Sequence, residues 1–170
     1  MGPIGKAPVI FYPLICKRMQ KNKYSITIMA PAQKVYNTML GLVDKSTYEF
    51  WTAAFNPTST YEGSWDVGSK IIFVGTDEQG KRGGMISEIA ENRAGEFVSI
   101  RHYGFLDGDL EITTGEQVEK WAGGRENYHF SENGHVTTVT VEMDSIEEYV
   151  DYFNQTYPIA LLKLKEIAEK

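Results

Sequence analysis

The chain has 170 residues, a net charge of −6 and a mean hydropathy of −0.33, enough for one soluble-type domain with a substantial core. A pI near 5.1 runs against a phosphate-binding footprint and against attraction to anionic lipid, so neither nucleic acid nor membrane insertion is expected. Cys16 is the only cysteine, which excludes an internal disulfide and makes a reducing cytoplasm the expected setting.

Residues 1–23 differ from the rest. Ala7 to Cys16 is apolar but broken by Pro8 and Pro13, and it leads into Lys17, Arg18, Lys21 and Lys23. The run is too short to span a bilayer and lacks the basic start and small-residue cleavage site of a secretory signal. It reads as an N-terminal extension to a single domain over residues 24–170. Met1 and Met19 both stay open as the natural start, and a partner-binding arm is the functional alternative.

Tyr24 to Met29 alternates and is rich in β-branched residues, the pattern of a first strand. Pro31 suits the first turn of a helix running to about Leu42, with Val35, Met39 and Leu40 inward. Asp44 to Phe55 predicts a second short helix with Tyr48, Trp51 and Phe55 on one side, stopped by Asn56-Pro57. From Thr58 the period changes to two. Strands are expected over Thr58–Trp65, Lys70–Thr76, Gly83–Glu91, Glu96–Gly104, Glu119–Ser131 and His135–Met143, with an irregular stretch over Phe105–Val118. Asn133-Gly134 is the strongest hairpin signal, since both residues accept positive φ in a type I′ turn.

Asp144 to Lys170 closes the chain as one long helix. Its stripe is Ile146, Tyr149, Val150, Phe153, Tyr157, Ala160, Leu161, Leu164 and Ile167, at steps of three and four. Asp144 or Ser145 is the expected N-cap, and Pro158 predicts a kink near Asn154 rather than two helices. The fold class is α+β.

This order, with its residues, resembles the START-like or SRPBCC superfamily. It looks closest to stand-alone bacterial relatives of the C-terminal domain of the activator of the heat-shock chaperone ATPase. The residues carrying the resemblance are Ile26-Thr27-Ile28 before Ala30-Pro31, Val35-Tyr36, Tyr61 to Trp65 with Val67-Gly68, and Gly83 to Ile86. Trp121 to Phe130 and His135 to Val139 complete them. The resemblance implies a helix-grip fold: a curved antiparallel sheet wrapped around the C-terminal helix, with two short helices after the first strand. It also implies a cavity between sheet and helix for a small apolar or amphipathic molecule. An aromatic content of 12% suits such a lining. The expected walls are Trp51, Tyr61, Trp65, Tyr103, Trp121, Tyr128, Phe153 and Tyr157, with plain core packing the alternative for each. Parity puts Tyr61, Gly63 and Trp65 on one face and Glu126, Tyr128 and Phe130 on another, without deciding which points inward. The resemblance leaves a chaperone or another protein as the alternative partner. Monomer and homodimer both stay open.

Other motifs carry less. Gly75 to Lys81 has phosphate-loop spacing, but Arg82 replaces the hydroxyl residue and a strand follows, so it reads as a hairpin turn. His102 and His129 are placed to meet across strands, and Glu126 to join them. Exposed strand histidines explain the same pattern, so no metal and no cofactor are expected. Glu88, Arg101, Arg125 and Glu126 are sheet charges. An inward Glu126 is the candidate for orienting a ligand or acting as a base in a cyclase- or hydrolase-like enzyme, against the alternative of a solvated strand face. No nucleophile elbow is present, and no residue is assigned a catalytic role. Asn154-Gln155-Thr156 matches a glycosylation sequon by chance, mid-helix.

Overall fold

The computed structural model describes residues 19–170, so the apolar run Ala7–Cys16 and the readings built on it lie outside the described residues. Eight strands form one antiparallel sheet: β1 (Gln20–Ile28), β2 (Thr60–Gly63), β3 (Lys70–Thr76), β4 (Arg82–Arg93), β5 (Phe97–Asp107), β6 (Leu110–Ile112), β7 (Arg125–Asn133) and β8 (Val136–Ser145). The helices are α1 (Ala32–Leu40), α2 (Lys45–Thr52), a single turn α3 (Glu116–Glu119) and the long α4 (Glu147–Ala168). The strand order is β1-β8-β7-β5-β4-β3-β2, with β6 added beside β5. The chain is therefore an α+β domain, a curved antiparallel sheet with a long C-terminal helix.

β1 starts at Gln20, earlier than its apolar pattern indicates. It pairs with β8 from Gln20↔Ser145 to Ile28↔Thr137, so backbone ladder bonds, rather than burial, hold its polar first half. Pro31 stands in extended conformation immediately before α1, whose Val35, Tyr36, Met39 and Leu40 are buried. The Asp44 carboxylate accepts from the Ser46 N–H and starts α2, which buries Tyr48, Trp51 and Thr52. α2 ends at Thr52, and Phe55 follows in a turn whose N–H donates to the Thr52 carbonyl.

Several expected boundaries are corrected. β2 stops at Gly63, where a φ of 113° turns the chain, so Trp65 reaches the interior from a loop. β7 begins at Arg125 rather than Glu119. The preceding residues form α3 and a turn, so Trp121 lies outside any strand. That turn is stitched to β5: the His102 N–H donates to the Gly124 carbonyl and the Gly123 N–H donates to the His102 carbonyl. In the β7–β8 hairpin Asn133 pairs with Val136, and the two positive-φ residues are Gly134 (59°) and His135 (65°). The tight turn thus sits one residue later than the Asn-Gly pair suggests, because β7 keeps Asn133 in its ladder.

α4 has no side-chain N-cap. Ile146 occupies that position, while Asp144 accepts from the Arg125 N–H at 3.0 Å and the Ser145 hydroxyl accepts from Asn22 at 2.8 Å. Both expected caps are committed to the sheet. The helix runs unbroken through Pro158 and buries Tyr157, Ala160, Leu161, Leu164 and Ala168. These pack with Ile28, Val35, Met39, Ile89, Ile100, Val139 and Val141 into the main core. None of the described helices is long and apolar enough to cross a membrane.

Candidate functional site

The inner face of the sheet does not close completely on α4. Between β3–β5, β7, α2 and the first half of α4 lies a cavity of about 850 Å³. Its walls are largely aromatic. α2 and the turn after it contribute Tyr48, Trp51 and Phe55; β3 to β5 contribute Phe73, Met85 and Phe105; α4 contributes Tyr149, Tyr152, Phe153 and Tyr157. Phe73, Met85 and Phe105 are cross-strand neighbours, so three adjacent strands present one apolar strip.

A hydrogen-bonded polar cluster around Glu126 interrupts this lining. Glu126 enters from β7, with 12% of its side chain exposed, and two phenol hydroxyls and an imidazole nitrogen converge on its carboxylate. The hydroxyl of Tyr128 donates to Oε1 at 3.1 Å, and that of Tyr157 donates to the same oxygen. On the other oxygen, His102 Nε2 lies 3.2 Å from Oε2. Behind the imidazole, Ser87 Oγ is 2.6 Å from Nδ1 and completely buried. The result is a continuous chain, Ser87–His102–Glu126–Tyr157, running from the sheet interior to α4. Its members satisfy one another, as buried polar groups must.

The electrostatic effect is visible in the neighbouring phenols. Burial, reinforced by the negative charge of Glu126, pushes Tyr128 well above its ordinary value, and the same two causes raise Tyr48. Ring geometry fixes the cluster further. Tyr157 stacks on Tyr24 at 4.8 Å between centroids, and Trp51 meets Tyr128 edge-on at 6.4 Å.

Of the residues singled out from the sequence, Trp51, Trp121, Glu126, Tyr128, Phe153 and Tyr157 line the cavity. Tyr61, Trp65 and Tyr103 do not. Tyr61 and Trp65 pack behind Tyr48 in the main core, and the Tyr61 hydroxyl donates to the Gly41 carbonyl. Tyr103 falls on a bulge: Ile86 pairs with Gly104 and Ser87 with His102, so Tyr103 has no cross-strand partner and packs near Ile86 in a separate small cluster. The same bulge reverses the alternation of β5, which is why both His102 and Phe105 face the cavity.

His102 and His129 do not meet. His129 is opposite Phe97, its ring centroid 4.8 Å from that of Phe97, and its Nε2 is 3.8 Å from Glu142. Glu88 is paired with Arg101 at 3.0 Å on the face turned away from the cavity, and Arg125 donates to Ser99. No group of three metal-ligating side chains exists among the described residues. In the hairpin with phosphate-loop spacing, the Asp77 carboxylate accepts from the N–H groups of Gln79 and Lys81, so the turn binds itself.

Sheet and helix together make the chain an α+β domain, a curved antiparallel sheet with a long C-terminal helix and a cavity between them. No protein-family profile matches the chain, and no curated protein matches it in sequence. Solved structures do share its fold. Protein NE0264 from Nitrosomonas europaea superposes with a TM-score of 0.62 at 13% identity, covering 86% of this chain and 92% of that one. A solution structure of a protein from Arthrobacter aurescens gives 0.63 at 14% identity, with coverage of 87% and 85%. CalU16 from Micromonospora echinospora gives 0.59 at 13%, with coverage of 88% and 76%. Likeness at this identity establishes the fold and transfers no activity.

Proposed function

We propose that the chain is a START-like, helix-grip domain of the SRPBCC type that holds a small apolar or amphipathic molecule between its sheet and α4. The observation that carries this reading is the largely aromatic cavity of about 850 Å³ with the hydrogen-bonded Ser87–His102–Glu126 chain reaching its wall. Sites for small apolar molecules combine that volume, that lining and a few convergent polar groups. Trp51, Trp121, Tyr128, Phe153 and Tyr157 supply contact area, and Glu126 supplies orientation. Native mass spectrometry of freshly purified protein, followed by organic extraction, tests it. A reproducible bound mass that dissociates on activation supports the reading; a clean unliganded mass that persists across a panel of apolar compounds defeats it.

A second reading, an enzyme that moves a proton to or from the bound molecule, is favoured by one observation. The Ser87–His102–Glu126 chain delivers both an imidazole and a carboxylate to the cavity wall. Conversion of the extracted compound by the wild-type protein, abolished in His102→Gln while binding persists, distinguishes it from simple binding.

A further inference from the structure

We infer that the cavity selects an apolar molecule carrying a protonated amine, and that Glu126 is the group that anchors it. This deepens the small-molecule reading above and rests on it. An ionised carboxylate offers about four acceptor positions. Three on Glu126 are taken: two on Oε1 by Tyr128 and Tyr157, and one on Oε2 by His102. One position on Oε2 is left, on a side chain that lines the cavity.

The other polar groups of the cluster are spent. Both ring nitrogens of His102 are engaged within the protein, Nδ1 with Ser87 and Nε2 with Glu126. The Tyr128 and Tyr157 hydroxyls point their protons at the carboxylate. A ligand group reaching this cluster therefore meets an acceptor, and must bring a donor. An anionic head would meet the Glu126 charge at short range in a poorly screened interior and is disfavoured. A cationic head gains the same interaction with opposite sign. The rings of Trp51, Phe55, Tyr128, Phe153 and Tyr157 lie around the cavity, and their faces attract cations too.

The experiment uses the neutral fluorescent probe N-phenyl-naphthylamine on the purified full chain, displaced by three compounds with one apolar body: phenylpropylamine, phenylpropanol and phenylpropionate. Each protein variant is titrated with the dye first, so displacement is read against its own dye affinity. At neutral pH the amine should displace the dye at least about tenfold more tightly than the carboxylate, with the alcohol between them. In Glu126→Gln, which keeps the shape and removes the charge, that ratio should fall to about twofold or less. If the dye binds and the three compounds compete equally, or the carboxylate wins, the anchoring role is wrong while the cavity reading stands. If the dye and all three compounds fail to bind, the cavity reading falls and this inference with it. Should Glu126→Gln not fold, the wild-type ratio alone decides between these outcomes.

Discussion

Ser87 and His102 face each other across β4 and β5 immediately beside the bulge at Tyr103, and that register sets the Ser87 hydroxyl 2.6 Å from His102 Nδ1. The serine is wholly enclosed and does not line the cavity, so its contribution is to hold the imidazole plane while Nε2 addresses Glu126. Sequence, bulge and site are linked here: regular alternation over three residues would put His102 and Phe105 on opposite faces, and the bulge at Tyr103 brings both to the cavity side.

Ser87→Ala should therefore weaken the fold and loosen the site together. Removing the hydroxyl leaves a buried ring nitrogen without its partner, a loss of about 1–3 kcal/mol. Urea unfolding of the variant should show a lower midpoint with an unchanged slope. In the ring-proton NMR spectrum, the His102 resonances should shift while those of His135, in the distant β7–β8 turn, stay in place.

Two of the buried phenols, Tyr48 and Tyr128, should make the protein sensitive to alkali. Tyr48 and Tyr128 have folded pKa values raised above the ordinary 10.0, so the native state retains protons that the unfolded chain loses. Their contribution to stability is complete below pH 10.0 and is lost as the pH rises beyond it, since the unfolded state alone ionises in that range. Absorbance of tyrosinate during an alkaline titration should rise in two stages, the exposed phenols first and Tyr48 and Tyr128, with the other enclosed phenols, only with loss of native circular dichroism. A single smooth rise completed in the folded state would show that these phenols are accessible.

Gly84 is a position where a side chain cannot be accommodated. Its φ is 149°, and a Cβ built there would lie 1.9 Å from the Phe73 carbonyl oxygen. That neighbour is backbone of the paired strand and cannot rotate away. Gly84→Ala should cost on the order of 2–4 kcal/mol and disturb the β3–β4 end of the cavity. Gly80→Ala makes the comparison, since it also replaces a positive-φ glycine (78°) but in open space. Thermal unfolding should separate the two, with Gly84→Ala the lower.

The α+β class, the strand-rich middle and the long final helix were legible because each rests on periodicity, and periodicity reports burial. The stripe on α4 gave Phe153 and Tyr157, and the parity of Glu126, Tyr128 and Phe130 put those three on one face, which the fold turns inward. What stayed illegible depends on single backbone events. Nothing in Phe97 to Asp107 marks a bulge at Tyr103, so simple alternation misplaces Phe105 and overvalues Tyr103. The α4 cap was misread because Asp144 and Ser145 serve Arg125 and Asn22, partners distant in sequence. Ser87 escaped notice because a lone serine in an apolar strand has no signature until its cross-strand neighbour is known.

The most direct test of the central claim is methionine-methyl NMR of the full chain titrated with N-phenyl-naphthylamine. Met85 and Met143 line the cavity, whereas Met39 is sealed in the core outside its lining and Met29 is 71% exposed. A molecule held between sheet and α4 should move the Met85 and Met143 methyl resonances and leave those of Met29 and Met39 where they are. Unmoved Met85 and Met143 signals at saturating dye, or changes confined to Met29, would contradict it.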